Sequence, residues 1–393
     1  MANIIIQAKE SEEETILSTM SDLKGISIQQ YKTDVGFRTL VEGVNENLYI
    51  IPKYQRKYRW SKEQVISLVE SLIRGLPIPP IYTCRNSENQ LEILDGQQRV
   101  LSLFFYYIGY YLDKSKSNSV DFSEIQVHNI PFKEALTSQL ALEELHIQLK
   151  NEDEKIFNVD YSSLPMEMKR RIDYTSITVI EIKIDDEKQR TKILRKIFEN
   201  LNAKGSLLTQ QELRNGIYVC DFYTMLQEYN RHDNKWRKIW GKEDAAERDM
   251  ETLLRFCALK KYVRIEQKDS INFNFIIENY HSSYTKLLDK FSEESMKFDK
   301  NQIKEYRNSL SCFFDLFKVN VTQSSKVALL ESFYIVYEKL GVHKPVTSVI
   351  YNKILHDSRY ISHARQGTVK MKSMNERWKT VYEIWSGDDK SYH

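Results

Sequence analysis

The sequence predicts a mixed α/β N-terminal domain followed by an all-α C-terminal domain. Three observations predict it. Strand-length apolar or alternating runs fall at residues 48–51, 81–84, 91–94 and 178–184, and strand signal almost vanishes after 220. From 221 onward the apolar spacing is mostly helical. Gly and Pro are scarce, 12 and 7 in 393 residues, which favours helix-rich globular structure over disorder. The expected organisation is an N-terminal helical extension at 1–29, an α/β domain at 30–219 and a helical domain at 220–393.

Ile16, Met20 and Leu23 recur at helical spacing behind Glu12, Glu13 and Glu14, which suit the positive end of a helix dipole. Leu48 to Ile51 reads as a strand closed by Pro52. A helix is expected over 61–74: Ser61 caps it, Gln64 completes a capping box, and Gly75 stands just past its end. Pro77, Pro79 and Pro80 hold the chain extended into a strand at Ile81 to Cys84. Arg85 to Gln90 is a hairpin loop, Leu91 to Leu94 the return strand, and a helix is expected from the following turn to about Leu112. Residues 113–118 form a polar loop, and 119–175 suggest strands with a small helical insertion. Thr178 to Ile184 alternates as a half-buried strand. Gln189 to Asn200 is a helix, and Thr209 with Glu212 caps another through Cys220.

The formal net charge is +2, so any nucleic-acid surface must be a local patch. Cys84, Cys220, Cys257 and Cys312 are far apart with no C-x-x-C pair, which argues for free buried thiols over a zinc ribbon. No secretory apolar core and no span of membrane length occur, so a cytoplasmic protein without a membrane partner is expected.

The chemistry concentrates at Asp95-Gly96-Gln97-Gln98-Arg99, between strand and helix. Gly96 permits positive φ and close approach to an oxygen. The N–H groups of Gln97, Gln98 and Arg99 would open the helix, and Arg99 adds a planar fork suited to phosphate. Asp95 could hold Mg²⁺ or cap the helix. A capped strand–helix turn without a ligand accounts for the same residues. Upstream, Tyr54, Gln55, Arg56, Tyr58 and Trp60 interleave rings and amides with cations, a composition for stacking a base beside a phosphate. Tight packing with Trp60 against the next helix is the competing reading. Asn200 and Asn202 flank a turn at Gly205 that could border the pocket or simply end a helix. Lys235, Trp236, Arg237 and Lys238 form a second basic-aromatic cluster, a candidate nucleic-acid contact or a solvated face over buried Trp rings.

This ordered set resembles the N-terminal domain of GmrSD-type modification-dependent restriction enzymes, related to the ParB and sulfiredoxin phosphate-binding domains. The carrying motifs are Tyr54 to Trp60, Asp95 to Arg99, Phe198 to Gly205 and Glu212-Leu213-Arg214. The resemblance covers roughly residues 30–260. It implies a ParB/sulfiredoxin-like fold and nucleoside triphosphate hydrolysis with Mg²⁺ in bacterial defence against phage or foreign DNA. Asp95, Gln97, Gln98 and Arg99 would then be catalytic, with Asp95 on the metal. Tyr54, Gln55, Arg56, Tyr58, Trp60, Gly96, Asn200 and Asn202 would bind nucleotide. Two alternatives stay open: a ParB-like DNA endonuclease, and a non-catalytic nucleotide or DNA sensor acting with a separately encoded effector. Many family members add an HNH nuclease. The surroundings of His343, Asn352, His356 and His363 look helical, so that domain is not expected here. No Walker loop is present.

Overall fold

The computed structural model describes residues 28–387 apart from 53–57, 59, 113–121, 127–129, 151–152, 185–189, 203–208, 245, 268–272, 279, 320–325 and 366–367. The expected N-terminal helix at 11–23 lies outside the described residues. The chain divides into two compact units, Met1–Leu207 and Leu208–His393, where the sequence suggested a boundary at 219/220.

The first unit is mixed α/β. Its strands are β1 (Ile28–Gly36), β2 (Tyr49–Ile50), β3 (Ile81–Arg85), β4 (Leu91–Asp95) and β9 (Ser176–Ile184), in the sheet order β1-β9-β3-β4-β2. β1 pairs antiparallel with β9 from Ile28↔Ile184 to Gly36↔Ser176. β9 runs parallel to β3, β3 antiparallel to β4, and β4 parallel to β2. The β3–β4 hairpin closes because Asn86 Oδ1 accepts from the N–H groups of Glu88 and Gln90, at 3.0 and 2.9 Å. The register shifts between Tyr82 and Thr83, opposite the end of β4, and such irregularities re-aim a strand end.

Three helices share one hydrophobic core with this sheet: α1 (Phe37–Asn45), α2 (Lys62–Arg74) and α3 (Gln97–Ile108). The cap expected for α2 is present. Ser61 Oγ accepts from the Gln64 N–H, Gln64 Oε1 accepts from the Ser61 N–H at 3.0 Å, and Gly75 is left-handed at φ 70°. Ser61→Ala is expected to lower stability by about 1 kcal/mol, measured as a drop in thermal midpoint. In α3, Val100, Leu101, Leu103, Phe104 and Phe105 are all fully buried, so this helix is the core of the unit.

α3 ends earlier than the expected Leu112. Gly109 takes φ 76° and stops it, and Tyr110–Leu112 becomes β5, paired with β6 (Leu142–Glu144). Between them lie α4 (Phe122–Ile125) and α5 (Phe132–Gln139), whose Phe122 and Phe132 close over the Phe104 and Phe105 side of α3. A small hairpin, β7 (Gln148–Lys150) with β8 (Ile156–Asn158), then α6 (Met166–Asp173), lead into β9, and α7 (Arg190–Asn202) follows it.

The second unit is largely helical. Its helices are α8 (Gln210–Ile217), α9 (Asp221–His232), α10 (Asn234–Trp240), α11 (Arg248–Tyr262), α12 (Tyr284–Ser295), α13 (Lys300–Phe314), α14 (Lys326–Leu340), α15 (Ser348–His356), α16 (Ser358–Arg365) and α17 (Met371–Gly387). α8 opens on the expected Thr209–Glu212 capping box and ends at Ile217. One antiparallel hairpin, β10 (Val263–Gln267) with β11 (Phe273–Ile277), interrupts the expected run of helices. It is held by α17: Asn375 accepts from the Phe275 N–H and donates to its carbonyl, at 2.7 and 2.8 Å.

A chain of buried charges crosses this unit. Arg377 Nη2 donates to Glu331 Oε1 at 3.0 Å, and Arg255 Nη1 lies 3.6 Å from Glu331 Oε2. Arg255 also reaches Glu251 at 3.1 Å, Glu251 reaches Arg214 at 3.3 Å, and Arg214 Nε donates to Asp289 at 2.9 Å. Tyr284 donates to Glu331 at 2.7 Å and lies beneath the Arg255 guanidinium, 4.1 Å from its ring centroid. Burial, ahead of the Glu331 carboxylate, pushes the Tyr284 phenol well above its usual pKa and keeps it a donor. Each guanidinium faces a carboxylate, which offsets the cost of desolvating both.

Cys84 and Cys257 are buried free thiols as expected, whereas Cys220 is half-buried and Cys312 exposed. Among the described residues, no helix is long and apolar enough to cross a membrane.

Candidate functional site

The β4–α3 junction adopts the expected turn. Gly96 sits at φ 97°, and a Cβ there would lie 3.1 Å from Arg99 Nη2 and 3.2 Å from Ile81 Cγ1. Glycine is therefore required twice, for its backbone conformation and for space. It supplies no side-chain cap to α3, so the first N–H groups of the helix open on a backbone hinge.

The motif residues divide by role. Arg99 is 18% exposed and tied down: Nη2 donates to Asp95 Oδ2 and to the Pro80 carbonyl, each at 2.9 Å. Asp95 is 45% exposed. One of its oxygens, Oδ2, is shared with the guanidinium one helical turn away. Gln98 is buried, and its Oε1 accepts from the Trp60 N–H at 3.2 Å. That bond fixes the Trp60 backbone. Gln97 is also buried, and its Oε1 has no hydrogen-bond partner among the described residues. Arg99 Nε is likewise buried without a partner among the described residues. Two such atoms in one turn are unusual, since buried polar groups are generally satisfied.

Tyr58 is a core residue and not a base-stacking one. It is 3% exposed, its Oη lies 2.7 Å from Ser102 Oγ, and its ring packs edge-on against Phe105, Tyr111 and Phe122. Trp60 is half-buried, and its carbonyl accepts from Tyr111 Oη at 2.6 Å. Tyr54, Gln55 and Arg56 lie outside the described residues, as does the turn at Gly205. Asn200 is exposed on α7, and the Asn202 side chain lies outside the described set. Sequence reasoning missed Ser102, Tyr111 and the Pro80 carbonyl. Their signal is only that they adjoin the motif in space.

The second basic cluster also divides. Trp236 is fully buried, donates to Asn230 Oδ1 at 2.7 Å and packs on Phe314, so it cannot stack on a base. Arg237 is committed to Asn230 and Asp249, at 2.6 and 3.0 Å. Lys235 and Lys238 are exposed, Lys235 beside Asp315. Arg214, in the last of the motif strings, is 2% exposed within the buried charge chain. Asn352 and His356 lie on α15 and His363 on α16, and His356 Nδ1 contacts the Asn352 carbonyl.

Fold and site together define a mixed α/β domain that presents an arginine-flanked, glycine-hinged helix start. Residues 37–219 match the family model of the GmrSD restriction endonuclease, N-terminal domain. That match covers just under half of the chain and includes the turn at Asp95 to Arg99. No curated protein matches the chain.

Proposed function

We propose that the N-terminal domain binds and hydrolyses a nucleoside triphosphate within a bacterial restriction or anti-phage system. The observation that carries this reading is the pair of buried, unpartnered polar atoms, Gln97 Oε1 and Arg99 Nε, in the turn beside Gly96. A phosphate group at this turn would meet the Arg99 guanidinium and the positive end of α3. Arg99 neutralises phosphate charge, Gln97 orients the attacking water, and Asp95 keeps the guanidinium in place. Water attacks the terminal phosphorus, the bridging P–O bond breaks, and the diphosphate leaves. Such transfer depends on positioning and charge neutralisation more than on covalent chemistry.

Mg²⁺ fits this site through Asp95. Oδ1 of that carboxylate takes no hydrogen bond from the described residues, and no group of three His, Cys, Asp or Glu surrounds it among them. Mg²⁺ commonly uses one or two carboxylates, with water and phosphate oxygens completing its shell. When bound it would supply charge neutralisation on the phosphates.

A second reading is favoured by the Asp95–Arg99 pair. In this reading the phosphate draws the guanidinium from its carboxylate, a rearrangement that a nucleotide or DNA sensor could report to a separately encoded effector. Phosphate release from each triphosphate, with and without Mg²⁺, tests both. Release that falls about 10²–10³-fold in Arg99→Ala supports hydrolysis. Saturable nucleotide binding without release supports the sensor. Plasmid nicking without triphosphate would identify an endonuclease instead.

A further inference from the structure

The second unit contains a cavity of about 410 Å³ at the two lysines left exposed by the α10 cluster. Lys235, Lys238 and Lys318 line it, with Asp315 as the one carboxylate. Three ammonium groups against one carboxylate leave a net charge of +2 on the lining. Lys235 is engaged by Asp315, whereas Lys238 and Lys318 make no ion pair among the described residues. Ser348, the first residue of α15, adds the positive end of a helix to the same cavity.

The wall opposite in chemistry is apolar. Phe314 and Phe317 line the cavity. Both are fixed from behind by other rings: Phe314 by Trp236 at 5.0 Å, Phe317 by Phe313 at 5.2 Å. The buried Trp236 therefore acts as a backing for this wall. The volume lies at the small end of ligand pockets, larger than a bare phosphate requires.

We propose that this cavity binds a nucleoside phosphomonoester, its dianionic phosphate at Lys238, Lys318 and the start of α15 and its base against Phe317. A phosphomonoester carries close to two negative charges near neutral pH, the complement of the lining. An internal phosphodiester carries one and would match less well. The ligand is either a free mononucleotide or the 5′-phosphorylated end of a strand. Neither depends on the site at Gly96 and Arg99.

The test is calorimetry on the full chain at about 0.1 M salt, where exposed charges still act over roughly 10 Å. Adenosine 5′-monophosphate, adenosine and inorganic phosphate are titrated into wild type, Arg99→Ala and Lys238→Ala/Lys318→Ala. The expected result is saturable nucleotide binding, equal in wild type and Arg99→Ala and at least tenfold weaker in the double lysine variant. Adenosine and phosphate alone should each bind more weakly than the nucleotide. Tighter binding of a 5′-phosphorylated than a 5′-hydroxyl oligonucleotide, exceeding the mononucleotide, would support the proposal with a strand end as ligand. The reverse order would support it with a free nucleotide. Absence of saturable binding to Arg99→Ala would overturn it. So would undiminished binding to a double lysine variant with wild-type circular dichroism.

Discussion

Glu331→Gln should be among the most destabilising conservative substitutions in this protein. The side chain is 1% exposed and receives Arg377, Tyr284 and the Trp378 indole, with Arg255 beside it. Neutralising it leaves two guanidiniums near one another without their shared counter-charge. Arg377 keeps the carbonyls of His363 and Thr368, and Arg255 keeps Glu251. Removing one partner of a buried pair costs about 3–5 kcal/mol. For a unit of this size, that is a fall of roughly 6–20 °C in midpoint. Chemical denaturation followed by circular dichroism measures it. The surface pair Arg359–Glu383 is the comparison, its side chains 52% and 55% exposed. Arg359→Ala should change stability by under about 1 kcal/mol. A Glu331→Gln midpoint as close to wild type as that would show that the buried chain contributes little.

Gly96→Ala should damage the candidate site more than its size suggests. An alanine at φ 97° costs about 1–2 kcal/mol in backbone strain. Its methyl group would meet Arg99 Nη2 and Ile81 Cγ1, both closer than ordinary contact. Ile81 is fully buried and cannot retreat, so the guanidinium must move away from Asp95 and Pro80. Expected results are a modest drop in thermal midpoint and a large loss of phosphate release from triphosphate. Phosphate release at the wild-type rate would remove Arg99 from the site. Arg99→Lys discriminates further, since it keeps the charge but loses the fork that spans Asp95 and Pro80.

The parts of the fold legible in sequence were those with local chemistry. Ser61, Gln64 and Gly75 announce α2, and Thr209 with Glu212 announces α8, because caps and hinges use nearby residues. β1 was not legible. As an edge strand exposed along most of its length, Ile28–Gly36 has no buried face to impose alternation. α1 was passed over, although Phe37, Leu40, Val41 and Val44 follow helical spacing. The β10–β11 hairpin was overlooked in the same way: Val263 and Phe275 are buried, but two short strands among helices offer few repeats to count.

The motif itself was legible, and its internal division was not. Sequence placed Asp95 and Arg99 together without pairing them, although a spacing of four across a helix start suggests the bond. Tyr58 and Gln98 looked like ligand groups because rings and amides serve both packing and recognition. Only the position of Ser102 and the Trp60 backbone, set by α3, decides between those uses. The α10 cluster behaved likewise. Its Trp ring is structural, while its outer lysines remain at the surface.

α3 is buried at ten of its twelve positions. A helix enclosed by close-packed rings cannot tilt to greet a visitor, so its opening turn works as a rigid template. Any adaptation there has to come from the reach of Asp95 and Arg99. Discrimination among guests would then be decided by how well each one arrives already shaped to the mould.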